Sequence, residues 1–363
     1  MTKLPEFEAS LIGCGRIGFL LEEDPLRRKP CTHSGGAEKA GIKFTSACDL
    51  NNDRLEYFGK KASIKNENRF SDYRILLKEK KPDLAVIATW TETHPDIAIC
   101  AAENGSRLII LEKPISYDLK SAKKILDACA LNGTQLIINH ERRYDARYRK
   151  VKKLIQDGII GDIKSARGLM LTGGFRGDSF IKQGGGPLLH DGTHLIDIIR
   201  FLIGEISDVT GEFSRINRNS GFEDRACAWL KSESGVDIFI EAGGNRKYFV
   251  FELEISGTKG SIIIGNGYNR LLLNKKSNLY KGFYDLREVK FPSFSPNNCF
   301  TELYKEAFDI LKSKKTSIHS SGLDGYKSLE IIHSIYLSSH KNRKIISIPV
   351  NPAKINISKI FKI

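Results

Sequence analysis

The sequence predicts an α/β protein with two domains. The first, over residues 1–140, is a doubly wound parallel sheet, and the second, over residues 141–363, is an α/β domain built on a large, mostly antiparallel open sheet. The 363 residues exceed the size at which a single core usually stops growing. Short apolar runs alternate with helical patterns in the first part, which is typical of parallel sheets. Strand-like runs joined by short turns follow in the second part, which is typical of antiparallel sheets.

The apolar runs of the first part have the length of buried strands. They lie within 7–18, 43–51, 82–89, 107–114 and 135–140. Between them, IAICAAENG and LKSAKKILDACALNG have the apolar spacing of helices that stop at a glycine. Strands that alternate with helices in this way form right-handed units of one sheet.

The second part follows a helical pattern, RYRKVKKLIQDG, and contains runs rich in β-branched and aromatic residues. These runs are KSARGLMLTG, RACAWLKSES, VDIFIEAGG, YFVFELEISG, GSIIIGN and NRLLLNKK. We expect LLHDGTHLIDIIRFLIG to form one helix against their sheet. Two helical segments, CFTELYKEAFDILKSKK and GLDGYKSLEIIHSIYLSSHKN, precede a closing strand, IISIPV, and the last helix, near 322–339, could pack back on the first domain.

Composition and charge argue against several classes of protein. The net charge of +14 is spread along the chain, and its densest basic run, at 141–153, has the pattern of a solvated helix face, so we expect no nucleic-acid partner. Seven cysteines occur singly without CxxC spacing, as in reduced cytoplasmic proteins. No signal pattern is present, and no apolar run approaches the roughly 18 residues of a membrane span. We therefore expect a cytoplasmic protein without a membrane partner.

A glycine-rich turn after the first strand indicates a dinucleotide site. Gly13, Gly15 and Gly18 form G-x-G-x-x-G, in which the first glycine allows a tight turn, the second lets the backbone approach a pyrophosphate, and the third lets helix and strand pack closely. Arg16 and Ile17 lie in the same turn, at a helix N-terminus whose N–H groups attract phosphate. This context is that of a Rossmann domain.

The second strand ends in Asp49, an acid placed to accept hydrogen bonds from the adenosine ribose. Its charge repels a 2′-phosphate, which favours NAD over NADP, although Arg54 and Lys43 are near in sequence. The alternative is that Asp49 caps the next helix. Asp49 also follows Gly18 at more than the usual spacing of about 20 residues. The excess falls within 21–36, where prolines interrupt the first helix, and this segment could cover the cofactor or only decorate the surface.

Two further segments carry residues suited to proton transfer. LEKP places Glu112 and Lys113 at the carboxyl end of a parallel strand, where doubly wound sheets bind their ligands. A partly desolvated lysine can exchange protons near neutral pH. GGGPLLHDGTHLID contains His190, His194 and Asp197, which would share one helix face and could hold a metal ion. Because no companion motif such as HExxH is present, we predict that this site holds no metal.

The ordered set of these motifs resembles one family over nearly the whole chain. GCGRIG, IATWTETH, LEKPIS, GGGPLLHDGTHLID and ISGTKGSIII are similar in order and spacing to the glucose-fructose oxidoreductase, inositol dehydrogenase and rhizopine-catabolism (Gfo/Idh/MocA) family. The resemblance implies a Rossmann domain, NAD or NADP, and hydride exchange with a hydroxyl or keto group of a sugar, nucleotide sugar or cyclitol. It also implies a homo-oligomer, a dimer or tetramer, because the open sheet often mediates assembly. A dinucleotide-binding sensor and an NAD-using glycoside hydrolase remain as alternatives.

The resemblance assigns residues of the first domain to the cofactor. Lys113 matches the lysine that contacts the reacting oxygen and the nicotinamide ribose, and its bond to Pro114 is expected to be cis. Thr89, Trp90 and His94 match the segment beside the nicotinamide, although the family usually has proline at the position of Trp90.

The resemblance also assigns the acid and base. His194 matches the family's general acid and base, so we expect it to take the hydroxyl proton while Lys113 stabilises the developing carbonyl oxygen. His190 stands where the family usually has an aspartate. A neutral histidine would not hold positive charge in the site as an aspartate does, and Asp191 could restore the carboxylate. We expect His190 or Asp191 to orient the substrate.

Three arginines are candidate substrate contacts. Arg142 and Arg143 follow the fifth strand, where the resemblance places such contacts, and Arg176 lies in the loop before the glycines. Guanidinium groups suit a phosphate or carboxylate, as on a nucleotide sugar. Surface salt bridges are the alternative role.

Overall fold

The computed structural model of the protein describes residues 7–173, 185–215, 221–314 and 317–361. By its internal contacts the chain divides into two compact units. The first consists of Met1–Asp145 and Asn297–Tyr326, and the second of Ala146–Pro296 and Lys327–Ile363. Each unit contains one sheet of the described part of the chain.

The elements are numbered here in chain order. The helices of the described ranges are α1 His33–Lys39, α2 Asn52–Lys61, α3 Tyr73–Lys80, α4 His94–Glu103, α5 Leu119–Leu131, α6 Ala146–Gln156, α7 Pro187–His190, α8 Gly192–Ile203, α9 Cys299–Leu311, α10 Gly322–His340 and α11 Ile357–Phe361. The strands are β1 Ala9–Ile12, β2 Ser46–Cys48, β3 Arg69–Phe70, β4 Leu84–Ile87, β5 Leu108–Leu111, β6 Gln135–Ile138, β7 Ile163–Leu171, β8 Ile206–Ser214, β9 Arg225–Ser232, β10 Asp237–Gly243, β11 Val250–Gly257, β12 Gly260–Gly265, β13 Tyr268–Lys276, β14 Tyr284–Val289 and β15 Ile346–Ser347.

The first unit contains the predicted parallel sheet. Its described strands pair in the order β3-β2-β1-β4-β5-β6, and every neighbouring pair is parallel. All residues of β1, β4 and β5 are buried, as expected for strands covered on both faces. The direction of strand succession reverses between β1 and β4, the position at which such sheets open a ligand crevice. The two-residue strand β3 was not predicted from the sequence.

The segment after the glycine turn leaves the path of a continuous helix. Residues 16–19 form turns, Leu20–Glu23 forms a short 3₁₀ helix, and α1 begins only at His33. The prediction that prolines interrupt the first helix is therefore confirmed. A proline ring fixes φ and removes an N–H donor, so the chain at Pro25 and Pro30 cannot continue a regular helix.

The second unit contains the predicted, mostly antiparallel sheet. Its described strands have the order β14-β13-β12-β11-β7-β10-β9-β8-β15, and only the central pair β7 and β10 is parallel. Burial alternates along β9 and β10, so one face of the sheet is covered and the other is open. On the open face Trp229 lies opposite Phe239 in the register, and their ring centroids are 5.3 Å apart.

The prediction of one helix over LLHDGTHLIDIIRFLIG is wrong in one respect. The segment forms two helices, α7 and α8, with Asp191 between them at φ −107° and ψ −30°. Gly192 follows the break, and glycine disfavours a helix interior by about 1 kcal/mol relative to alanine. A Cβ atom at Gly192 would lie 3.1 Å from Leu188 Cδ1, so the lack of a side chain also permits this close turn. Helix α8 lies against β7 and β11.

Two further observations concern the described helices and the cysteines. No helix within the described ranges is both long and apolar enough to cross a lipid bilayer. None of the seven cysteines, all of which lie in those ranges, forms a disulfide. Burial, with the nearby Asp49 carboxylate, raises the pKa of the Cys48 thiol to about 12, so this thiol stays protonated at neutral pH.

We expect Gly13→Ala to destabilise the protein by about 2–4 kcal/mol. Gly13 has φ +100°, and an added Cβ would lie 2.5 Å from the Ala88 carbonyl oxygen. Gly41→Ala is the matched control, because Gly41 has φ +83° but no heavy atom within 4 Å of an added Cβ. This substitution should lower the free energy of unfolding only by the backbone strain, about 1 kcal/mol. Urea denaturation of both variants measures the difference, and equal losses would contradict the steric argument.

Candidate active site

The glycine turn leaves space at one of its three glycines. A Cβ atom at Gly18 would lie 2.1 Å from the Gly13 carbonyl oxygen, so the first and third glycines pack against each other's backbone. At Gly15 the nearest heavy atom to an added Cβ is Arg54 Nη1, at 4.0 Å. This open position is the one at which a dinucleotide pyrophosphate approaches the turn, so the residues present fit such a group.

Asp49 is buried at the end of β2 and joins that strand to the glycine turn. Its Oδ2 accepts a hydrogen bond from Cys14 N at 2.8 Å, and its Oδ1 accepts from Asn51 N at 2.8 Å and Arg54 Nη2 at 3.0 Å. The N-cap of α2 is Asn51, whose side chain accepts from Arg54 N. The alternative that Asp49 caps this helix is therefore wrong. A carboxylate fixed beside the turn is suited to a ribose diol.

Glu112 is buried directly after β5, next to Lys113. Its Oε1 accepts hydrogen bonds from His33 Nε2 at 2.9 Å and Asn139 Nδ2 at 2.6 Å, and its Oε2 accepts from Lys113 N at 3.2 Å. Burial opposes ionisation of this carboxyl, but the bond from His33 and the charges of His33 and Lys113 outweigh it and lower its pKa to about 2. Glu112 is therefore a carboxylate at neutral pH, and it fixes the backbone of Lys113.

The segment after β4 is fixed by a buried histidine. His94 Nδ1 lies 2.9 Å from the Pro114 carbonyl oxygen, and Nε2 lies 3.2 Å from the Thr89 carbonyl oxygen. The Lys113–Pro114 bond is cis, as the resemblance implies. Burial lowers the pKa of His94, so we place one proton on the ring, at Nδ1 on the shorter contact. His94 thus joins the loop that carries Thr89 and the exposed Trp90 to the loop after Lys113.

Two buried residues that donate to Glu112, Asn139 and His33, were not predicted from the sequence. Asn139 follows β6 as Glu112 follows β5, so the reasoning that selected Glu112 would also have selected it. Within the described ranges its Oδ1 is buried and accepts no hydrogen bond. His33 lies in the segment 21–36, where nothing in the pattern distinguishes it from a surface residue.

The candidate arginines occupy different environments. Arg143 is buried, donates to the His319 carbonyl oxygen at 2.9 Å, and pairs with Asp324 at 3.0 Å. Arg142 Nη1 donates to Glu141 Oε1 at 2.6 Å. Both therefore make ion pairs within the first unit, and their contact with substrate stays a prediction. Arg176 lies outside the described residues.

In the second unit, α7 and α8 carry the candidate acid and base. His190 Nδ1 lies 3.0 Å from Asp191 Oδ1, so a carboxylate stands beside this histidine. Asp191 occupies the N-cap of α8 but makes no capping hydrogen bond with its side chain. His194 is buried one turn further along α8. Asp197 lies deeper, 3.9 Å from Arg200 Nη1 and 3.5 Å from Ser328 Oγ, which is a structural environment.

A buried glutamate lies beneath the start of α7. Glu223 Oε1 accepts hydrogen bonds from Leu188 N and Tyr336 Oη, both at 2.9 Å. Burial raises the pKa of this carboxyl to about 7. A Cβ atom at Gly186 would lie 2.0 Å from the Glu223 carboxyl carbon, so this glycine is required by the close approach of the backbone to Glu223.

The described residues do not form a metal centre. They contain no group of three or more histidine, cysteine, aspartate or glutamate side chains that could hold a metal ion. His190, His194 and Asp197 do not share one regular helix, because Asp191 separates α7 from α8.

Comparison with known proteins gives matches over both units. A model of the oxidoreductase family with an NAD-binding Rossmann fold (GFO/IDH/MocA) matches residues 7–140. A model of the GFO/IDH/MocA C-terminal domain matches residues 148–263.

Individual relatives support the same assignment. The chain is 29% identical over 267 residues to scyllo-inositol 2-dehydrogenase (NAD(+)) of Bacillus subtilis, which covers 72% of this chain and 74% of the relative. It is 24% identical over 359 residues to D-apiose dehydrogenase of Paraburkholderia graminis, covering 95% and 90%. Among solved structures, the WlbA dehydrogenase from Bordetella pertussis, in complex with NADH and UDP-GlcNAcA, has a TM-score of 0.75 at 21% identity and covers 95% of this chain and 99% of that one.

The similarity to the solved structure shows the fold. The two family models show membership of the family, because together they cover most of the chain. The first model spans every described strand of the parallel sheet, β1 to β6, and the second spans β7 to β11 and part of β12, so β13 to β15 lie beyond it. The protein is an oxidoreductase with an NAD-binding Rossmann domain, and it belongs to the Gfo/Idh/MocA family.

Proposed function

We propose that the protein is an NAD-dependent dehydrogenase that interconverts a secondary hydroxyl and a ketone on a sugar, nucleotide sugar or cyclitol. The observation that carries this proposal is the ionised Glu112 that fixes Lys113 at the carboxyl edge of the NAD-binding sheet. The names of the relatives support the substrate class, because scyllo-inositol and D-apiose are polyhydroxylated compounds.

Each candidate residue has one chemical task in this reaction. Bound NAD supplies a nicotinamide ring that accepts the hydride from the carbinol carbon. The Lys113 ammonium stabilises the negative charge that develops on the carbinol oxygen, and the His194 imidazole takes the hydroxyl proton. Asp49 binds the adenosine ribose, and its charge favours NAD over NADP.

The pair His190 and Asp191 takes the place of the family's single aspartate. Asp191 accepts a hydrogen bond from His190 Nδ1, and we assign His190 Nε2 to a hydroxyl of the substrate. In this arrangement Asp191 orients the imidazole, and His190 orients the substrate. Arg142, Arg143 and Arg176 would serve a charged substituent on the substrate.

We expect Lys113→Met and His194→Asn each to lower kcat by about 10²–10⁴-fold, the usual loss for a removed acid or base. The assay follows NADH absorbance with a panel of sugars, cyclitols and nucleotide sugars. Lys120→Met is the control, because Lys120 is exposed on α5. Turnover near that of the wild type in both variants would exclude these roles.

The same assay separates the alternative functions. Substrate turnover without net NADH would favour the hydrolase, and NAD binding without any turnover would favour the sensor.

We expect Gly15→Val to weaken NAD binding at least about tenfold while the melting temperature stays within about 2 °C of the wild type. The added side chain would enter the open space at the glycine turn, where it meets only the end of the Arg54 side chain. Fluorescence titration with NAD and thermal denaturation measure the two effects. An unchanged affinity would show that the pyrophosphate does not approach Gly15.

We also propose that the protein is a cytoplasmic homo-oligomer, a dimer or tetramer, assembled through the open face of the second sheet. Trp229 is 61% exposed there and packs at a tilted angle against Phe239, which makes an apolar patch that a second copy can cover. The seven cysteines without disulfides are typical of a reducing compartment.

We expect Trp229→Arg to convert the oligomer to a smaller species, because a guanidinium would replace the centre of the apolar patch. Sedimentation velocity measures the change. Leu26→Arg is the matched control, because Leu26 is 94% exposed in the other unit. A wild-type sedimentation coefficient for Trp229→Arg would exclude this face as the interface.

A further inference from the structure

The segment between the glycine turn and α1 is an excursion that leaves a helical path and returns to it. In a regular helix the carbonyl oxygen of Ile17 would accept from the N–H four residues later. Here it accepts from His33 N at 3.0 Å, and the Gly18 carbonyl oxygen accepts from Ser34 N at 2.9 Å. Residues 19–32 are thus looped out, and α1 resumes on the hydrogen bonds of the turn.

The excursion is closed by a carboxylate of its own. Glu22 Oε2 accepts from Cys31 N at 3.0 Å and from Thr32 Oγ1 at 2.7 Å. Thr32 in turn caps α1 by accepting from Gly35 N at 3.1 Å. A Cβ atom added at Gly35 would lie 2.5 Å from the Glu22 carboxyl group. The absence of a side chain at Gly35 therefore makes room for this carboxylate. These contacts define the position at which α1 starts and therefore the position of its first residue, His33.

His33 is completely buried and uses both ring nitrogens. Nε2 lies 2.9 Å from Glu112 Oε1, and Nδ1 lies 2.9 Å from Tyr304 Oη. An ionised carboxylate can only accept, so Nε2 carries a proton and donates it to Glu112. Nδ1 then donates to Tyr304 Oη when the ring is protonated and accepts from the Tyr304 hydroxyl when the ring is neutral. Phe300 packs edge-on against the ring at a centroid distance of 5.5 Å.

We propose that the excursion 19–32 serves to deliver His33 to Glu112, and that His33 is thereby the positioning residue for Lys113. The chain of contacts is continuous: His33 holds the Glu112 carboxylate, and that carboxylate accepts from the backbone N of Lys113. The inference rests on the role proposed above for Lys113. His33 does not itself touch the reacting atoms.

The physical reason is the cost of burying the Glu112 charge. An ionised carboxylate inside a protein requires donors or positive charge around it. If His33 is removed, Asn139 is the side chain that still donates to Glu112. The pKa of the Glu112 carboxyl would then rise, so Glu112 would be easier to protonate. A protonated carboxyl holds the Lys113 backbone less firmly and removes a negative charge beside its ammonium. The lysine would then be displaced from the carbinol oxygen, and small displacements of a catalytic group are costly.

Two substitutions separate hydrogen bonding from packing. His33→Leu fills the same space with an apolar side chain but removes the hydrogen-bond donor. We expect kcat to fall about tenfold or more, with a smaller change in KM. His33→Gln places an amide N–H near the former Nε2, so kcat should remain within about threefold of the wild type. Phe300→Leu is the packing control, because it removes the ring contact and leaves both hydrogen bonds of His33. Its kcat should match the wild type.

A second measurement needs no substrate. The ordinary pKa of a glutamate carboxyl, 4.5, is lowered to about 2 in the folded protein, so ionised Glu112 stabilises the fold above pH 4.5 and this stabilisation is lost as the pH falls toward 2. His33→Leu removes part of it, so its deficit in melting temperature should be larger at pH 7 than at pH 3. The Phe300→Leu deficit should not depend on pH. The other titratable groups facing Glu112 are His33 itself, Lys113, His94 and Tyr304.

The outcomes distinguish this inference from the proposed function. If Lys113→Met abolishes turnover while His33→Leu retains it, the positioning role is overturned and the function stands. If His33→Leu and His33→Gln lose equal activity, or if the His33→Leu stability deficit is the same at both pH values, His33 acts only by packing, which also overturns the inference. If Lys113→Met retains turnover, the proposed function fails, and the inferred positioning of Lys113 for catalysis fails with it. A pH-dependent deficit in His33→Leu would then still support the link from His33 to Glu112.

Discussion

A carboxylate that stays ionised in a protein interior must be surrounded by donors, and Glu112 imposes this requirement on the first unit. Its partners come from β6 through Asn139, from α1 through His33, and from the Lys113 backbone, and α9 supplies the hydroxyl that holds the histidine. Elements far apart in sequence must therefore meet at the end of β5. The contacts of α1, α9 and β6 at this edge therefore accompany the burial of one charge.

In the second unit, the pKa of a buried glutamate is shifted in the opposite direction. Glu223 is as deeply buried as Glu112, but the donors to its carboxyl are a backbone amide and a tyrosine hydroxyl, which are neutral. Burial therefore prevails, and the pKa of this carboxyl is raised to about 7 instead of being lowered. The two carboxyls differ in the charges beside them, because His33 and Lys113 lower the pKa of Glu112 whereas Asp224 adds to the effect of burial on Glu223.

The sequence was sufficient for the architecture because strand-length apolar runs and glycine stops are local signals. It was also sufficient for the positions of Glu112 and Asp49 at the carboxyl ends of parallel strands, while their contacts with a cofactor stay predictions. It was not sufficient for the helix break at Asp191, where the apolar pattern continues across a glycine that the fold uses for close packing. Nor could it find His33, whose importance comes from a partner 79 residues away rather than from its neighbours.

The excursion after the glycine turn begins and ends at adjacent turns of one helical path, so its two ends are held together by hydrogen bonds that do not involve its middle. The entropy cost of closing a loop grows only with the logarithm of its length. Evolution can therefore lengthen, shorten or recompose the exposed part around Leu26 at little energetic cost, provided the return at Thr32 and His33 is kept. A segment that tolerates changes of length can in this way lie directly beside the buried contact between His33 and Glu112.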